Sequence, residues 1–343
     1  MKPSAFRFFH DQLPSDTHRA FYEAVERAVR GRNAGITGPA LPGLAIVDYY
    51  RILEYVYDDH PEFFAFYPLR SAVRCAGGTV AVDLFYRYSA AVQKRFEEEL
   101  DRAMGQVLRE CFPDGWAEVP ELKREKLIFD WIVKNVTYDQ ESYQMIEDPG
   151  RLEDMSRSVA WNAYGALVIG TAVCEGIACA FKLLCNEVGL PSIVVLGKGQ
   201  TGRHAWNLVR VHGKFYHVDC TWDLHGSITT QIPYARYRYF NLPDRIISAN
   251  HTAETRFLPV CGSLQYNPFR MKKLCAATPE ELLQIAMRMA DRGHDRFAVM
   301  TWGFPAIDAR DGVMMALYRY VGRNVTAYTD DSGYFIGFVI DRA

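Results

Sequence analysis

The chain reads as an α+β protein whose centre is one helix followed by antiparallel strands, with mixed α+β extensions on either side. Three observations carry that reading. From Cys174 onward, Ile177, Phe181, Leu184 and Val188 recur at steps of four, three and four, the period of a helix face, and Gly189 and Pro191 close it. Short β-branched and aromatic runs follow, Ser192 to Leu196, His204 to Val211 and Phe215 to Thr221. The last two are joined through Val211-His212-Gly213-Lys214, a hairpin turn, so they pair antiparallel.

The flanking elements can be justified in order. Residues 16–30 form an amphipathic helix, with Phe21, Val25 and Val29 four apart and Gly31 at its end. Ile46 to Tyr57 predicts a second helix, and Thr79 to Tyr88 a strand. Val92, Phe96, Leu100, Met104 and Leu108 set a helix over about 90–110. Pro113-Asp114-Gly115 is the clearest break and bounds an N-terminal α+β extension, 1–114, ahead of a core at 115–260. A C-terminal α/β accessory region, 261–343, completes the chain. There, Thr278-Pro279-Glu280-Glu281 supplies the N-cap, N1 and N3 residues of a helix that runs to about Arg292. Phe297 to Trp302 predicts a strand, Gly312 to Tyr320 a short helix, and Asn324 to Ile340 a hairpin turning at Asp331-Ser332-Gly333. The Tyr- and Arg-rich run Ile232 to Phe240 reads as a packed surface strand. Arg236, Arg238 and Arg245 read as a solvated cluster or a substrate-edge contact.

Within the core, Cys174, His204 and Asp219 fall in that order inside 46 residues. The thiolate is the nucleophilic form of cysteine, and a helix N-terminus favours it because unpaired N–H groups and the macrodipole attract negative charge. Cys174 occupies such a first turn. The same N–H groups suit an oxyanion forming on a bound carbonyl. Taken alone, a buried structural thiol is the plainer reading. Alternate strand residues share a face, so His204, Trp206 and Leu208 point one way, and Phe215, His217 and Asp219 share a face of the next strand. An imidazole and a carboxylate can therefore meet, as a base and its orienter require. His217 is an alternative base, and Asp223 a rival to Asp219.

Four motifs carry a family resemblance: Ala163-Tyr164-Gly165-Ala166-Leu167, Val173-Cys174-Glu175-Gly176, His204-Ala205-Trp206-Asn207 and Val218-Asp219-Cys220-Thr221-Trp222-Asp223. Together they resemble the transglutaminase-like superfamily of papain-type thiol enzymes, particularly its bacterial members. Leu127 to Asp139 is similar to the helix that precedes such a core, so the resemblance covers about 125–225. It implies a papain/transglutaminase-like core with Cys174 as nucleophile, His204 as general base and acid, and Asp219 as orienter. It also implies acyl transfer on amides, to water or to an amine. Papain-like proteases draw an oxyanion donor from a Gln shortly before the Cys, and no Gln lies between Gln144 and Cys174. Trp161, Asn162 and Tyr164 stand as candidates for that place, with Trp206 and Glu175 as further cleft residues. Three functions compete: a cysteine hydrolase acting on peptide or isopeptide amides, which is favoured; a protein-glutamine acyltransferase with the same triad; and a non-catalytic binding or scaffold protein. The expected partner is a peptide or protein substrate.

Other signals are weaker. Gly197-Lys198-Gly199-Gln200-Thr201-Gly202 spells G-x-G-x-x-G, but a strand follows where a dinucleotide site needs a helix. The segment reads instead as a cleft-side loop whose glycines permit movement over substrate. No CxxC or HExxH spacing occurs, and no EF-hand loop, so neither a metal nor a cofactor is expected. A net charge of −2 provides no bulk attraction for nucleic acid or an anionic membrane. No run of 18 apolar residues occurs and the first ten residues have no apolar signal core. The eight scattered cysteines suit a reducing compartment, so a cytoplasmic location is expected, or an exported one if a signal peptide preceded this sequence. Oligomeric state has no signature here.

Overall fold

The computed structural model describes residues 6–144, 158–224, 232, 235–330 and 332–341. It is a mixed α+β structure that divides into two compact units, Met1–Val194 and Val195–Ala343.

In the first unit, helix Asp16–Arg30 is capped by Ser15 and helix Ile46–Asp59 runs two residues past its expected end. Their apolar faces meet in a core with Phe21, Tyr22, Val25, Tyr49, Ile52 and Leu53 fully or almost fully buried. Three antiparallel strands adjoin it, β1 (Gly35–Pro39), β2 (Ala72–Ala76) and β3 (Thr79–Asp83), in the order β1-β3-β2. The strand expected over Thr79 to Tyr88 thus stops at Asp83, and only a single bridge, Phe66 to Tyr86, continues the pairing. Helices Ala90–Cys111 and Glu121–Asn135 follow, the second starting six residues before Leu127. Two short parallel strands, β4 (Thr137–Tyr138) and β5 (Thr171–Ala172), bracket the approach to the cysteine helix, Cys174–Glu187. Just before β5 lies a π-helical turn, Gly165–Ile169, closed by Gly170 at a left-handed φ of 82°. Glycine reaches that conformation without steric cost.

The five-stranded sheet has the order β10-β6-β7-β8-β9. Its members are β6 (Ser192–Gly199), β7 (Gly202–Val211), β8 (Lys214–Val218), β9 (Phe240–Leu242) and β10 (Thr252–Ala253). The hairpin turn of β7 and β8 is where expected, with His212 and Gly213 both at positive φ, the geometry that matches strand twist. The supposed mobile glycine loop is absent. Gly197 and Gly199 lie inside β6, and only Gln200 and Thr201 form the turn. A Cβ on Gly197 would sit 2.2 Å from the Thr252 carbonyl oxygen, and one on Gly199 2.9 Å from the Trp222 ring. These glycines therefore admit close neighbours and do not act as hinges.

Corrections of similar kind apply downstream. Within the run Ile232 to Phe240, residues 233 and 234 lie outside the described residues; a 3₁₀ turn, Ala235–Tyr237, leads into β9, and Tyr237, Tyr239 and Phe240 are buried. Arg238 is no solvated surface group: it donates to the Trp222 carbonyl at 3.0 Å. A four-stranded sheet, β11 (Cys275–Ala276), β12 (Arg296–Thr301), β13 (Val325–Thr329) and β14 (Phe335–Ile340), follows in the order β11-β12-β14-β13. Helix Pro279–Asp291 begins at Thr278, whose hydroxyl accepts from the Glu281 N–H as its sequence implies. The last helix, Ala306–Val321, is longer than expected at its N-terminal end because Pro305 can precede helix N1. Asp331, in the anticipated hairpin turn, lies outside the described residues. Among the described residues no helix is long and apolar enough to cross a membrane.

Candidate active site

Cys174 is the first residue of its helix and buried, and the N-cap, Val173, provides no side-chain hydrogen bond to the first turn. A strap of backbone is laid against this turn. The Val173 N–H donates to the Ala160 carbonyl at 3.1 Å. A Cβ on Gly176 would lie 2.3 Å from that same oxygen and 2.9 Å from the Asn162 carbonyl oxygen. Glycine two residues after the cysteine is thus what lets residues 159–162 approach the helix start.

That strap carries the oxyanion candidates. Tyr164 is committed elsewhere: its hydroxyl donates to Glu99 and its ring lies 4.5 Å from Phe96. Asn162 accepts the Tyr164 N–H through Oδ1 at 2.9 Å and neighbours the Tyr88 hydroxyl. The Asn162 Nδ2 and the indole Nε1 of Trp161 are both buried with no hydrogen-bond partner among the described residues. An unpaired buried N–H costs free energy, and such a group is a ready donor for a ligand oxygen. Glu175 lies in the electrostatic field of Arg87, with Asp58 and Cys179 nearby. None of the eight cysteines forms a disulfide, and burial pushes Cys111 and Cys275 each up to about 11, and Cys179, Cys185 and Cys261 upward too.

In the second unit, the last β7–β8 pair is Asn207 opposite Val218, so Asp219 follows one step beyond, near Trp206. His204 then reaches it diagonally: Nε2 lies 2.7 Å from Asp219 Oδ2. Oδ1 of the same carboxylate accepts the Thr221 and Trp222 N–H groups at 2.8 and 3.2 Å. His251, 32 residues later, brings its Nε2 to 3.0 Å from Oδ2. Burial alone would raise Asp219, but the charge and hydrogen bonds of His204 and His251 outweigh it and hold the carboxyl well below its usual range.

His217 and Trp206 form a separate arrangement. The indole Nε1 of Trp206 donates to His217 Nδ1 at 2.9 Å, and His217 Nε2 lies 2.8 Å from Asp244 Oδ1. An indole N–H only donates, so Nδ1 is the bare nitrogen and Nε2 carries the proton. Trp206 is thereby engaged and His217 occupied at both nitrogens. Burial lowers the basicity of His217 against the opposing pull of Asp244. Asp223 is fully buried and accepts the Tyr239 N–H at 2.8 Å. It serves as a backbone brace, and burial pushes its carboxyl upward.

Two groups have donor atoms close enough for one metal ion: His204, Asp219 and His251, and His217, Asp244 and Cys261. The second set fits poorly, because the proton that Trp206 forces onto His217 Nε2 occupies the ligating lone pair. The first set fits no better, because an ionised Asp219 only accepts and both imidazoles turn a protonated Nε2 towards its Oδ2. His251 and Asp244 escaped the sequence reading: they lie 32 and 27 residues from their partners, and no local spacing announces them.

Residues 114–220 match the family model described as the transglutaminase-like superfamily. Kyphoscoliosis peptidase of Mus musculus is 30% identical over 153 residues, which are 39% of this chain and 22% of that protein. The Homo sapiens protein of the same name is 28% identical over 170 residues, 44% of this chain and again 22% of its own length. The chain therefore spans less than a quarter of the length of these curated relatives. A crystal structure of a TGase aligns over 46% of this chain and 45% of its own, at 15% identity and a TM-score of 0.33. This chain carries, over residues 114–220, a domain of the transglutaminase-like superfamily.

Proposed function

We propose that the chain is a cysteine enzyme that cleaves peptide or isopeptide amides through a thioester on Cys174. The observation that carries this reading is the buried His204–Asp219 pair at 2.7 Å, an imidazole oriented by an ionised carboxylate. The Cys174 thiolate adds to the amide carbonyl carbon, and the carbonyl oxygen becomes an oxyanion. The first-turn N–H groups, with Trp161 Nε1 or Asn162 Nδ2, are the donors assigned to it. The C–N bond then breaks as His204 protonates the departing amine. His204 next takes a proton from water, the resulting hydroxide adds to the thioester, and the C–S bond breaks to release the acid. Likeness to proteins named peptidases supports water as the acceptor. An amine acceptor would give a protein-glutamine acyltransferase by the same steps. Eight cysteines without a disulfide fit a reducing, cytoplasmic setting.

The test is the pH dependence of Cys174 alkylation by iodoacetamide, read by mass spectrometry in wild type, His204→Ala and His217→Ala. Rapid labelling well below pH 8 that only His204→Ala abolishes is the expected result. Labelling indifferent to His204 would remove the proposal. A peptide substrate supplied with and without a labelled amine then separates hydrolysis from transfer.

A further inference from the structure

The catalytic reading assigns Asp219 one imidazole, but the carboxylate has two. We propose that His251 is a positioning residue that holds Asp219 from the side opposite its bonds to the backbone and shares Oδ2 with His204, so that the working unit is a His–Asp–His triplet. This rests on the proposed role of His204 and extends it to a residue 31 positions past the end of the family match.

The placement of His251 is built. The side chain is fully buried, and both ring nitrogens face acceptors: Nε2 has Asp219 Oδ2 at 3.0 Å, and Nδ1 has Asn250 Oδ1 at 2.6 Å. The Asn250 amide is oriented in turn, because its Nδ2 donates to the Tyr239 hydroxyl at 2.8 Å. Aromatic rings fix the imidazole plane, with Trp222 at 4.4 Å and Trp206 edge-on at 4.9 Å. Those same two indoles flank His204, at 5.5 and 5.9 Å. A core histidine filling space would not need an oriented amide at one nitrogen and the site carboxylate at the other. An ionised carboxylate accepts only, so His251 must give a proton to Oδ2. Two donors on one oxygen divide its basicity, and Oδ2 pulls less strongly on the His204 proton than it would with a single donor.

The titratable groups against His204 within this unit are Asp219 and His251, and Tyr239 lies 5.6 Å from the His251 ring. Removing the His251 donor concentrates the carboxylate's charge on His204 and stabilises the imidazolium. Loss of any positive charge on His251 acts in the same direction. The experiment is a histidine NMR titration in the Cys174→Ala background, so that it reads imidazoles whether or not Cys174 proves to be the nucleophile. In His251→Leu the His204 titration moves up by roughly one pH unit. His251→Gln, which keeps an N–H donor, brings it back towards the parent value. An unmoved His204 in a folded His251→Leu protein would leave His251 as packing alone and overturn the proposal. A variant-free measurement guards against misfolding: long-range ¹H–¹⁵N spectra of the parent show His251 Nε2 protonated. A bare Nε2 could not donate to Asp219 and would also overturn it. Loss of Cys174 reactivity in the earlier labelling test, with these imidazole results intact, would remove the nucleophile assignment and leave the triplet standing.

Discussion

Asp219 is a residue whose chemistry is set entirely by what points at it. Four donors converge on two oxygens: two backbone N–H groups on Oδ1 and two imidazoles on Oδ2. Asp219→Asn preserves the shape but puts an amide in a place where every neighbour donates. Either the amide N–H faces His204, which forces the wrong tautomer, or it faces the backbone donors. We expect kcat to fall roughly 10³- to 10⁴-fold with KM little changed, measured on any peptide the wild type cleaves. A fall in affinity alone would show that Asp219 shapes the cleft and does not orient the base. At this scale the sequence was informative where a residue's placement follows from its neighbours in the chain. Cys174 at a helix start and His204 on a strand are of that kind. His251 is not, because only the folded sheet brings it to a carboxylate 32 residues away.

Among the elements, the cysteine helix shows how packing enforces a motif. In the Cys-Glu-Gly run, Gly176 is constrained by the strap of residues 159–162 that crosses it. Gly176→Ala must displace a backbone carbonyl, since there is no flexible side-chain end to yield. A loss of roughly 2 kcal/mol in unfolding free energy is expected from urea denaturation. An unchanged midpoint would mean the strap yields freely. Helix positions were legible because apolar spacing of three and four residues reports a buried face directly, while ends such as Asp59 and Ala306 were not. The glycine-rich segment was misread because a glycine that admits a close neighbour and a glycine that permits motion look the same in sequence. What decides between them is the Thr252 carbonyl and the Trp222 ring, both far along the chain.

For the molecule as a whole, the interior of the first unit stores a pH dependence. Lys182, eight residues into the chain from Cys174, is fully buried, and its Nζ donates to the Asp58 carbonyl at 2.6 Å. Burial pushes the Asp58 carboxyl up to about 8, against a usual value of 3.8, with the Lys182 charge opposing the rise. The unfolded chain therefore ionises Asp58 well before the folded protein does. In that interval the folded state binds the extra proton, so this group makes stability fall as pH rises from about 4 to about 8. Asp58→Asn removes the effect while keeping the backbone carbonyl for Lys182. The variant is expected to gain on wild type progressively across that range, by roughly 1 kcal/mol or more near pH 7.5 in urea titrations at several pH values. A constant difference at every pH would show that Asp58 is ionised in the fold. The α+β class and the sheet carrying His204 and Asp219 were legible from pattern alone. The division into two compact units was not, because it depends on contacts between elements that local periodicity does not encode.

The bond from Trp206 to His217 has a consequence for charge. Two histidines stand on one sheet, each beside a carboxylate, and carboxylate proximity alone would not tell an incoming proton which to choose. At His217 the indole answers: a proton settling on Nδ1 must first evict the N–H already aimed there, and Nε2 already gives its own proton to Asp244. This histidine is therefore held neutral beside its carboxylate, and a tryptophan, which never ionises, does the sorting.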